Sequence, residues 1–153
     1  MPQHRFWDAA EAVGIIQAHV GLDGAALPML HALQAAFGHV PEAAVPMVAD
    51  ALNLSRAEVH GIISFYHDFK HSPPGRQVLR LCRAEACQSM GGVELAERLL
   101  DRWQIAWGGT RADGAVTVEP VFCLGLCACA PAALLDDVPL GRLTEAKLSD
   151  LLA

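Results

Sequence analysis

The stretch "CLGLCACAP", from Cys123 to Pro131, places three cysteines within seven residues. The chain has five cysteines in all, and the other two, Cys82 and Cys87, flank the earlier stretch "CRAEAC". Segments with the pattern of β-strands, "RQVLRLC" and "ADGAVTVEPVFC", lead into both stretches. Cys82 and Cys123 are therefore predicted to end two strands, and Cys87 and Cys127 to lie in the loops behind them. If the strands are neighbours in one sheet, four thiols meet at one point.

Four thiols at two strand ends suit a [2Fe-2S] cluster, because two irons bridged by two sulfides need four terminal ligands, two on each iron. The C-x4-C and C-x3-C loops are short enough to hold one iron each. Gly125 allows positive φ and a close approach of backbone N–H groups to sulfur. Gly91 and Gly92 precede a predicted helix, whose positive end would then point towards the cluster.

Other uses of the cysteines fit this sequence less well than a cluster does. Structural zinc also binds four cysteines, but it favours C-x2-C loops, which neither stretch has. Disulfides need an oxidising compartment, which nothing in the N-terminal residues indicates. A zinc-bound or metal-free module that only scaffolds a complex is the alternative from a different class. The colour and the EPR signal of the purified protein distinguish it from a cluster protein.

Composition limits the function further. The chain has 153 residues, of which 53% are hydrophobic, so it can bury a core without disulfides. Its net charge of −6 argues against nucleic acid as a partner. No apolar run is long enough to span a membrane and no signal peptide is recognisable, so a soluble, cytoplasmic protein is expected. The sequence has no G-x-G-x-x-G or Walker motif, and hence no evident site for NAD or flavin.

The apolar pattern divides the chain near "HSPPGR", residues 71–76. Residues 6–70 are predicted to form four helices, with a capping box at "SRAE". The third helix either starts close to Pro46 or is kinked there. The predicted domains are residues 1–72, a helical docking domain, and 73–153, an α/β domain that carries the cysteines. The predicted apolar faces of the four helices are Val13, Ile16 and Val20; Leu30, Leu33 and Phe37; Val48 and Leu52; and Val59, Ile62 and Ile63.

The second half is predicted to run strand, helix, strand, hairpin, helix, which gives an α/β layer. Its helix covers residues 93–103, its hairpin covers residues 132–142, and Thr144 caps the last helix. The residues predicted to face its core are Val116 and Val118 on the second strand, Ala96, Leu99, Leu100 and Trp103 on the first helix, and Leu148, Leu151 and Leu152 on the last helix.

These cysteine stretches resemble those of the thioredoxin-like [2Fe-2S] ferredoxin family, which includes the 24 kDa subunit of respiratory complex I. The family also includes small subunits of NAD-linked hydrogenases and formate dehydrogenases. Upstream, "FGHVPEAAVPMVADALNLSRAEVHGIISFYHDF" resembles the helical N-terminal domain of these subunits, so the resemblance covers roughly residues 25–150. It implies an α+β fold, a helical bundle followed by a thioredoxin-like domain.

The resemblance implies that Cys82 and Cys87 hold one iron of a [2Fe-2S] cluster and that Cys123 and Cys127 hold the other. Cys129 has no place in the family's motif and is predicted to be a surplus thiol beside the cluster. The stretches "FYHDF", "CRAEACQSMGG" and "CLGLCACAP" most resemble the gamma subunit of NAD-dependent, molybdenum-containing formate dehydrogenase. A complex I or hydrogenase subunit is the alternative within the family.

This resemblance also implies a role and partners. The chain would transfer single electrons and would not be catalytic alone. One partner subunit would carry FMN and NAD, and a larger catalytic subunit would carry iron–sulfur clusters and molybdenum. No nucleic acid and no direct membrane contact are expected.

Overall fold

A computed structural model describes residues 6–152 of the chain. They belong to two compact units, Met1–Pro73 and Pro74–Ala153. That residues 1–72 and 73–153 are independent domains, the first of them a docking domain, stays a prediction. Among residues 6–152, no helix is both long enough and apolar enough to cross a membrane.

The first unit is helical, and its helix boundaries follow local sequence signals. Ser55 accepts a hydrogen bond from the Glu58 N–H, and Glu58 Oε2 accepts one from the Ser55 N–H, which confirms the predicted capping box. Gly38 has φ 77° and ends the second helix, as predicted. Pro46 is the third residue of its helix. The N–H groups of a first helical turn have no carbonyl partner within the helix, so the N–H that proline lacks costs no hydrogen bond there. The four helices are α1 Ala9–His19, α2 Ala26–Phe37, α3 Ala44–Leu52 and α4 Arg56–Phe65.

The face that α1 buries differs from the predicted one. Val13 is 47% exposed and Val20 is 40% exposed, whereas Ala12 and Ile16 are buried. Ile16 is buried as predicted, but it packs in one helical row with Ala12, four residues earlier, and not with Val13 or Val20. The tertiary packing selects that row. The predicted face of α2 is confirmed, with Leu30, Leu33 and Phe37 buried; on α4, Val59 and Ile63 are buried and Ile62 is partly buried.

The second unit is a four-stranded mixed sheet with helices, in the predicted element order plus one short additional helix. The elements are β1 Gln77–Cys82, α5 Glu85–Ser89, α6 Gly92–Trp103, β2 Val116–Val121, β3 Ala133–Leu135, β4 Val138–Leu140 and α7 Glu145–Leu151, of which α5 is the additional helix. The strands lie in the order β2-β1-β3-β4, with β1 parallel to β2 and the other two pairs antiparallel. Thr144 caps α7 as predicted.

The core of this unit lies between the sheet and its helices. Leu79 from the central strand β1 and Val118 from the edge strand β2 are fully buried, as is nearly all of Leu148 from α7. Leu151, predicted to face the core, is 42% exposed, and Leu152 just beyond α7 is buried. The helix ends between these two residues, so the chain leaves helical periodicity there and turns Leu152 inward.

The register of the sheet fixes the position of the cysteine stretches. Cys82, the last residue of β1, is paired with Val121, the last residue of β2. On the other side of β1, the Cys82 N–H donates to the Ala132 carbonyl at 3.0 Å, immediately before β3 begins. The segment 122–132 therefore leaves the sheet on one side of Cys82 and returns on the other. Both cysteine stretches consequently lie at the carboxyl edge of β1 and β2.

Candidate metal centre

The first pair of thiols, Cys82 and Cys87, is buried, with 7% and 2% exposed. Cys82 is at the end of β1, as predicted, whereas Cys87 lies in the short helix α5 and not in a loop. The Ala84 carbonyl accepts hydrogen bonds from the Cys87 and Gln88 N–H groups, both at 3.0 Å, which closes one helical turn. This turn brings the Cys87 thiol back to within hydrogen-bonding reach of the Cys82 thiol.

The second pair, Cys123 and Cys127, is exposed, and the two Sγ atoms are 4.0 Å apart. Cys123 was predicted to end a strand, but β2 ends two residues earlier at Val121, where its partner β1 also ends. Cys123 has φ 66°, in the left-handed region that a non-glycine residue rarely adopts. Cys127 was predicted to lie in a loop and instead opens a single 3₁₀ turn, Cys127–Cys129.

Backbone donors connect the two pairs. Burial acts to raise the pKa of the Cys82 thiol, but hydrogen bonds from the backbone N–H groups of Ala84, Cys123 and Leu124 and from the Cys87 thiol outweigh it. The pKa of Cys82 therefore lies below its ordinary value. Because two of these N–H groups belong to the other cysteine stretch, the sulfur of Cys82 lies where both stretches meet.

One thiol of each pair, Cys87 and Cys127, has a raised pKa. Burial raises the pKa of Cys87, and the hydrogen bond with Cys82 and the negative charges of Cys82 and Cys127 raise it further. The pKa of Cys127 is raised first by its hydrogen bond with Cys123, then by the Cys123 charge, and also by Cys82. Several thiolates held this close repel one another unless a cation lies between them, so the arrangement favours a bound metal.

The spacing within the exposed pair fits one metal ion. Two thiolates at about 2.3 Å from a tetrahedral metal lie roughly 3.8 Å apart, close to the observed 4.0 Å between Cys123 and Cys127. Among residues 6–152, no three or more His, Cys, Asp or Glu side chains are grouped so that they could hold a single ion. Among the described residues the thiols thus form two pairs, and that all four bind one cluster stays a prediction. Two pairs fit a cluster of two irons, each with two terminal thiolates.

Cys129, the surplus thiol, is half-buried and lies against the hairpin of β3 and β4. A Cβ added at Gly141 would lie 2.6 Å from the Cβ of Cys129, so the two residues are in close contact. The Cys129 carbonyl accepts a hydrogen bond from the Arg142 N–H at 2.6 Å. Packing against the hairpin gives Cys129 a structural contact of its own.

Two features beside the thiols were not predicted from the sequence. A Cβ added at Gly92 would lie 2.5 Å from the Cys87 carbonyl oxygen, so only glycine lets α6 begin this close to α5. The pair Gly91-Gly92 was visible in the sequence as a helix start, but not as a contact with Cys87. The guanidinium of Arg83 lies 5.0 Å above the centre of the Trp107 ring, and no local pattern connects these two residues.

Comparison with known proteins agrees with this geometry. The profile of the family described as "Thioredoxin-like [2Fe-2S] ferredoxin" matches residues 12–153. This chain belongs to the thioredoxin-like [2Fe-2S] ferredoxin family. The predicted α+β fold and the predicted family are thereby confirmed, and membership of this family points to an iron–sulfur cluster as the cofactor.

Relatives within the thioredoxin-like [2Fe-2S] ferredoxin family are subunits of oxidoreductases. An NADH-quinone oxidoreductase subunit of Pseudomonas aeruginosa is 34% identical over 113 residues, which are 74% of this chain and 68% of the relative. The NADP-reducing hydrogenase subunit HndA of Solidesulfovibrio fructosivorans is 28% identical over 143 residues, 94% of this chain and 84% of the relative.

A crystal structure of an NAD+-reducing [NiFe]-hydrogenase in the air-oxidised state is similar to 92% of this chain. The TM-score is 0.61 and the sequence identity is 26%. This chain spans only 22% of the length of the matched hydrogenase chain. The likeness therefore concerns one part of a larger polypeptide.

Proposed function

We propose that this chain is a one-electron-transfer subunit of an NAD-linked oxidoreductase complex. Its [2Fe-2S] cluster is held by Cys82 and Cys87 on one iron and by Cys123 and Cys127 on the other. The observation that carries the proposal is the register of the sheet, which pairs Cys82 at the end of β1 with Val121 at the end of β2. It places a buried thiol pair beside the segment that carries an exposed pair, at the sheet edge where two strands end.

Residues of this chain supply what such a cluster needs. When bound, a [2Fe-2S] cluster accepts and releases one electron at a time. The N–H groups of Ala84, Cys123 and Leu124 stabilise negative charge on the Cys82 sulfur without a counter-ion. Burial of Cys82 and Cys87 keeps water from one thiol pair, whereas the exposed Cys123 and Cys127 leave the other pair open to a redox partner.

Partner subunits follow from the chemistry of NAD. NAD exchanges a hydride, which carries two electrons, so a flavin is needed to divide the pair. The sequence has no nucleotide-binding fingerprint of its own, so FMN and NAD are assigned to a partner subunit. The names of the relatives, NADH-quinone oxidoreductase and NADP-reducing hydrogenase, support a nicotinamide-linked complex.

As the parent complex we assign a cytoplasmic, NAD-dependent molybdenum formate dehydrogenase, whose larger subunit would hold molybdenum and further iron–sulfur clusters. The support is the resemblance of "FYHDF", "CRAEACQSMGG" and "CLGLCACAP" to its gamma subunit. A second candidate, a complex I or hydrogenase subunit, is favoured by the names of the relatives at 34% and 28% identity. In either complex, this chain itself needs no contact with nucleic acid or with a membrane.

The first test asks whether the cluster exists. The full chain is purified without oxygen, and iron, labile sulfide, the visible spectrum and the EPR spectrum after dithionite reduction are measured. A red-brown protein with about two irons and two sulfides per chain and a signal from one unpaired spin is expected. A colourless protein that contains zinc, or no metal, would contradict the proposal and favour the scaffolding module.

The second test asks which complex the chain serves. A tagged chain is expressed in its own host, and the purified complex is assayed for NAD+ reduction with formate and with hydrogen, and for quinone reduction with NADH. Formate-dependent NAD+ reduction that reduces the cluster, followed by EPR, supports the formate dehydrogenase. Hydrogen-dependent NAD+ reduction or NADH-dependent quinone reduction, without formate activity, assigns the chain to the second candidate.

A further inference from the structure

Arg83 is the residue after Cys82, a proposed cluster ligand, and its backbone N–H and carbonyl both form hydrogen bonds. Its N–H donates to the Val121 carbonyl at 2.8 Å. Its own carbonyl accepts a hydrogen bond from Gln88 Nε2 at 2.7 Å. The first bond connects it to the end of β2 and the second to α5. The base of the Arg83 side chain is therefore fixed beside the thiols.

The guanidinium group at the end of the Arg83 side chain also has a defined contact. Its guanidinium carbon lies 5.0 Å from the centre of the Trp107 ring, within the range of a cation–π interaction. Trp107 is itself fixed, because the adjacent Gly108 N–H donates to the Val118 carbonyl of β2 and the indole packs against the core. Cys82, Arg83 and Trp107 line the same small cavity, so the fixed Arg83 side chain and the proposed ligand Cys82 share one site in the fold.

No carboxylate among residues 6–152 forms an ion pair with Arg83. Within residues 6–152, every ion pair formed by an arginine of this unit belongs to Arg80, Arg98, Arg102 or Arg111. Glu97 lines the same cavity but lies beyond ion-pair distance of Arg83. A flat indole face holds the guanidinium in place and leaves its full positive charge acting on the surroundings.

We propose that Arg83, positioned by Trp107, raises the reduction potential of the cluster of this chain. The inference rests on the proposed function, since it needs a cluster on Cys82. A [2Fe-2S] centre with four thiolates is negatively charged and gains a further negative charge on reduction. A fixed cation nearby stabilises the reduced form more than the oxidised form. Trp107 acts only through Arg83, so it is a positioning residue.

The test is the cluster's midpoint potential, measured by EPR-monitored titration of the full chain. Arg83→Gln removes the charge and keeps the length of the side chain. We expect two irons per chain, an unchanged visible spectrum, and an equilibrium constant for reduction lowered about tenfold, which is about 59 mV for a one-electron couple. The difference from the unsubstituted chain should shrink in 1 M salt, because salt screens an exposed charge. Arg83→Lys should restore most of the potential.

Two further variants separate charge from structure. Arg102→Gln is the control: it also removes one positive charge from this unit, but that charge is paired with Glu145 at 2.7 Å, and it should leave the potential unchanged. Trp107→Leu should lower the potential by less than Arg83→Gln does, and should add nothing in the Arg83→Gln background.

The outcomes that overturn the inference differ from those that overturn the proposed function. An iron-replete Arg83→Gln chain whose potential equals that of Arg102→Gln contradicts the inference alone. Loss of iron from Arg83→Gln would make Arg83 a structural residue, which also contradicts it. An unsubstituted chain that holds no iron would contradict the proposed function and, with it, this inference.

Discussion

The two units of the chain differ in what they bury. The helical unit has no cysteine, and the side chains in its core are apolar throughout. The second unit buries two thiols, Cys82 and Cys87, at the edge of its sheet. Neighbouring thiols whose ionised forms repel each other contribute little to the stability of the fold. All five cysteines therefore belong to the second unit, whereas a docking role for the first stays a prediction.

The two units also differ in where left-handed backbone conformations occur. In the helical unit, left-handed residues such as Gly38 and Asn53 end helices, where that conformation is common. In the second unit, Cys123 is left-handed with φ 66°, although it ends no helix. Such a conformation persists only where the surroundings impose it, and it is characteristic of functional sites. Here it allows the N–H groups of Cys123 and Leu124 to donate to Cys82.

The largest effect is expected from the thiols of the second unit. Replacing Cys82, Cys87, Cys123 or Cys127 singly by Ala removes one of four terminal ligands, so the cluster should be lost or held in a small fraction of chains. Iron and labile sulfide in the anaerobically purified protein measure this. A variant that retains two irons per chain would remove that cysteine from the ligand set.

Removing the helical unit tests the comparison directly. A fragment of residues 74–153 begins before β1 and keeps all five cysteines. It should bind two irons and show the EPR signal, but it should fail to co-purify with the flavin subunit and lose NADH-dependent reduction while dithionite still reduces it. Assembly at the full-length level would contradict the docking role. A fragment that holds no iron would show that the two units form one folding unit.

One glycine in each unit gives a smaller effect with a matched control. Gly92→Ala places a Cβ 2.5 Å from the Cys87 carbonyl oxygen, so α5 and α6 must move apart at a cost of about 1–3 kcal/mol. We expect a lower iron content and a lower midpoint in urea unfolding. Gly61→Ala in α4 meets no atom within 4 Å and should stabilise its helix by about 0.5–1 kcal/mol. Equal effects of the two substitutions would contradict the importance of the contact with Cys87.

The smallest effect is expected at Cys129. Four ligands complete the site, and the Cβ of Cys129 packs against Gly141, a contact that serine preserves. Cys129→Ser should therefore keep the iron content and the visible spectrum, with at most a modest shift of the reduction potential. Loss of iron equal to that of Cys127→Ala would make Cys129 a ligand.

Local sequence patterns were enough to predict the elements that depend on local rules. The capping box at Ser55, the helix end at Gly38, the cap at Thr144 and the hairpin around Asp136 all involve residues close in the chain. Each is decided by hydrogen bonds or φ angles within a few residues, so the pattern alone predicts it. The spacing of Cys82, Cys87, Cys123 and Cys127 likewise pointed to two thiol pairs and to the family.

The detailed geometry of those pairs depends on contacts between distant segments. It placed Cys87 in a helix, moved Cys123 beyond its strand and buried Ala12 in preference to Val13. It also brought Gly92 against Cys87 and Arg83 over Trp107. These contacts join residues whose positions depend on sheet register, helix packing and hydrogen bonds between segments. No periodicity or propensity encodes them, because their energies arise only once the distant segments have met.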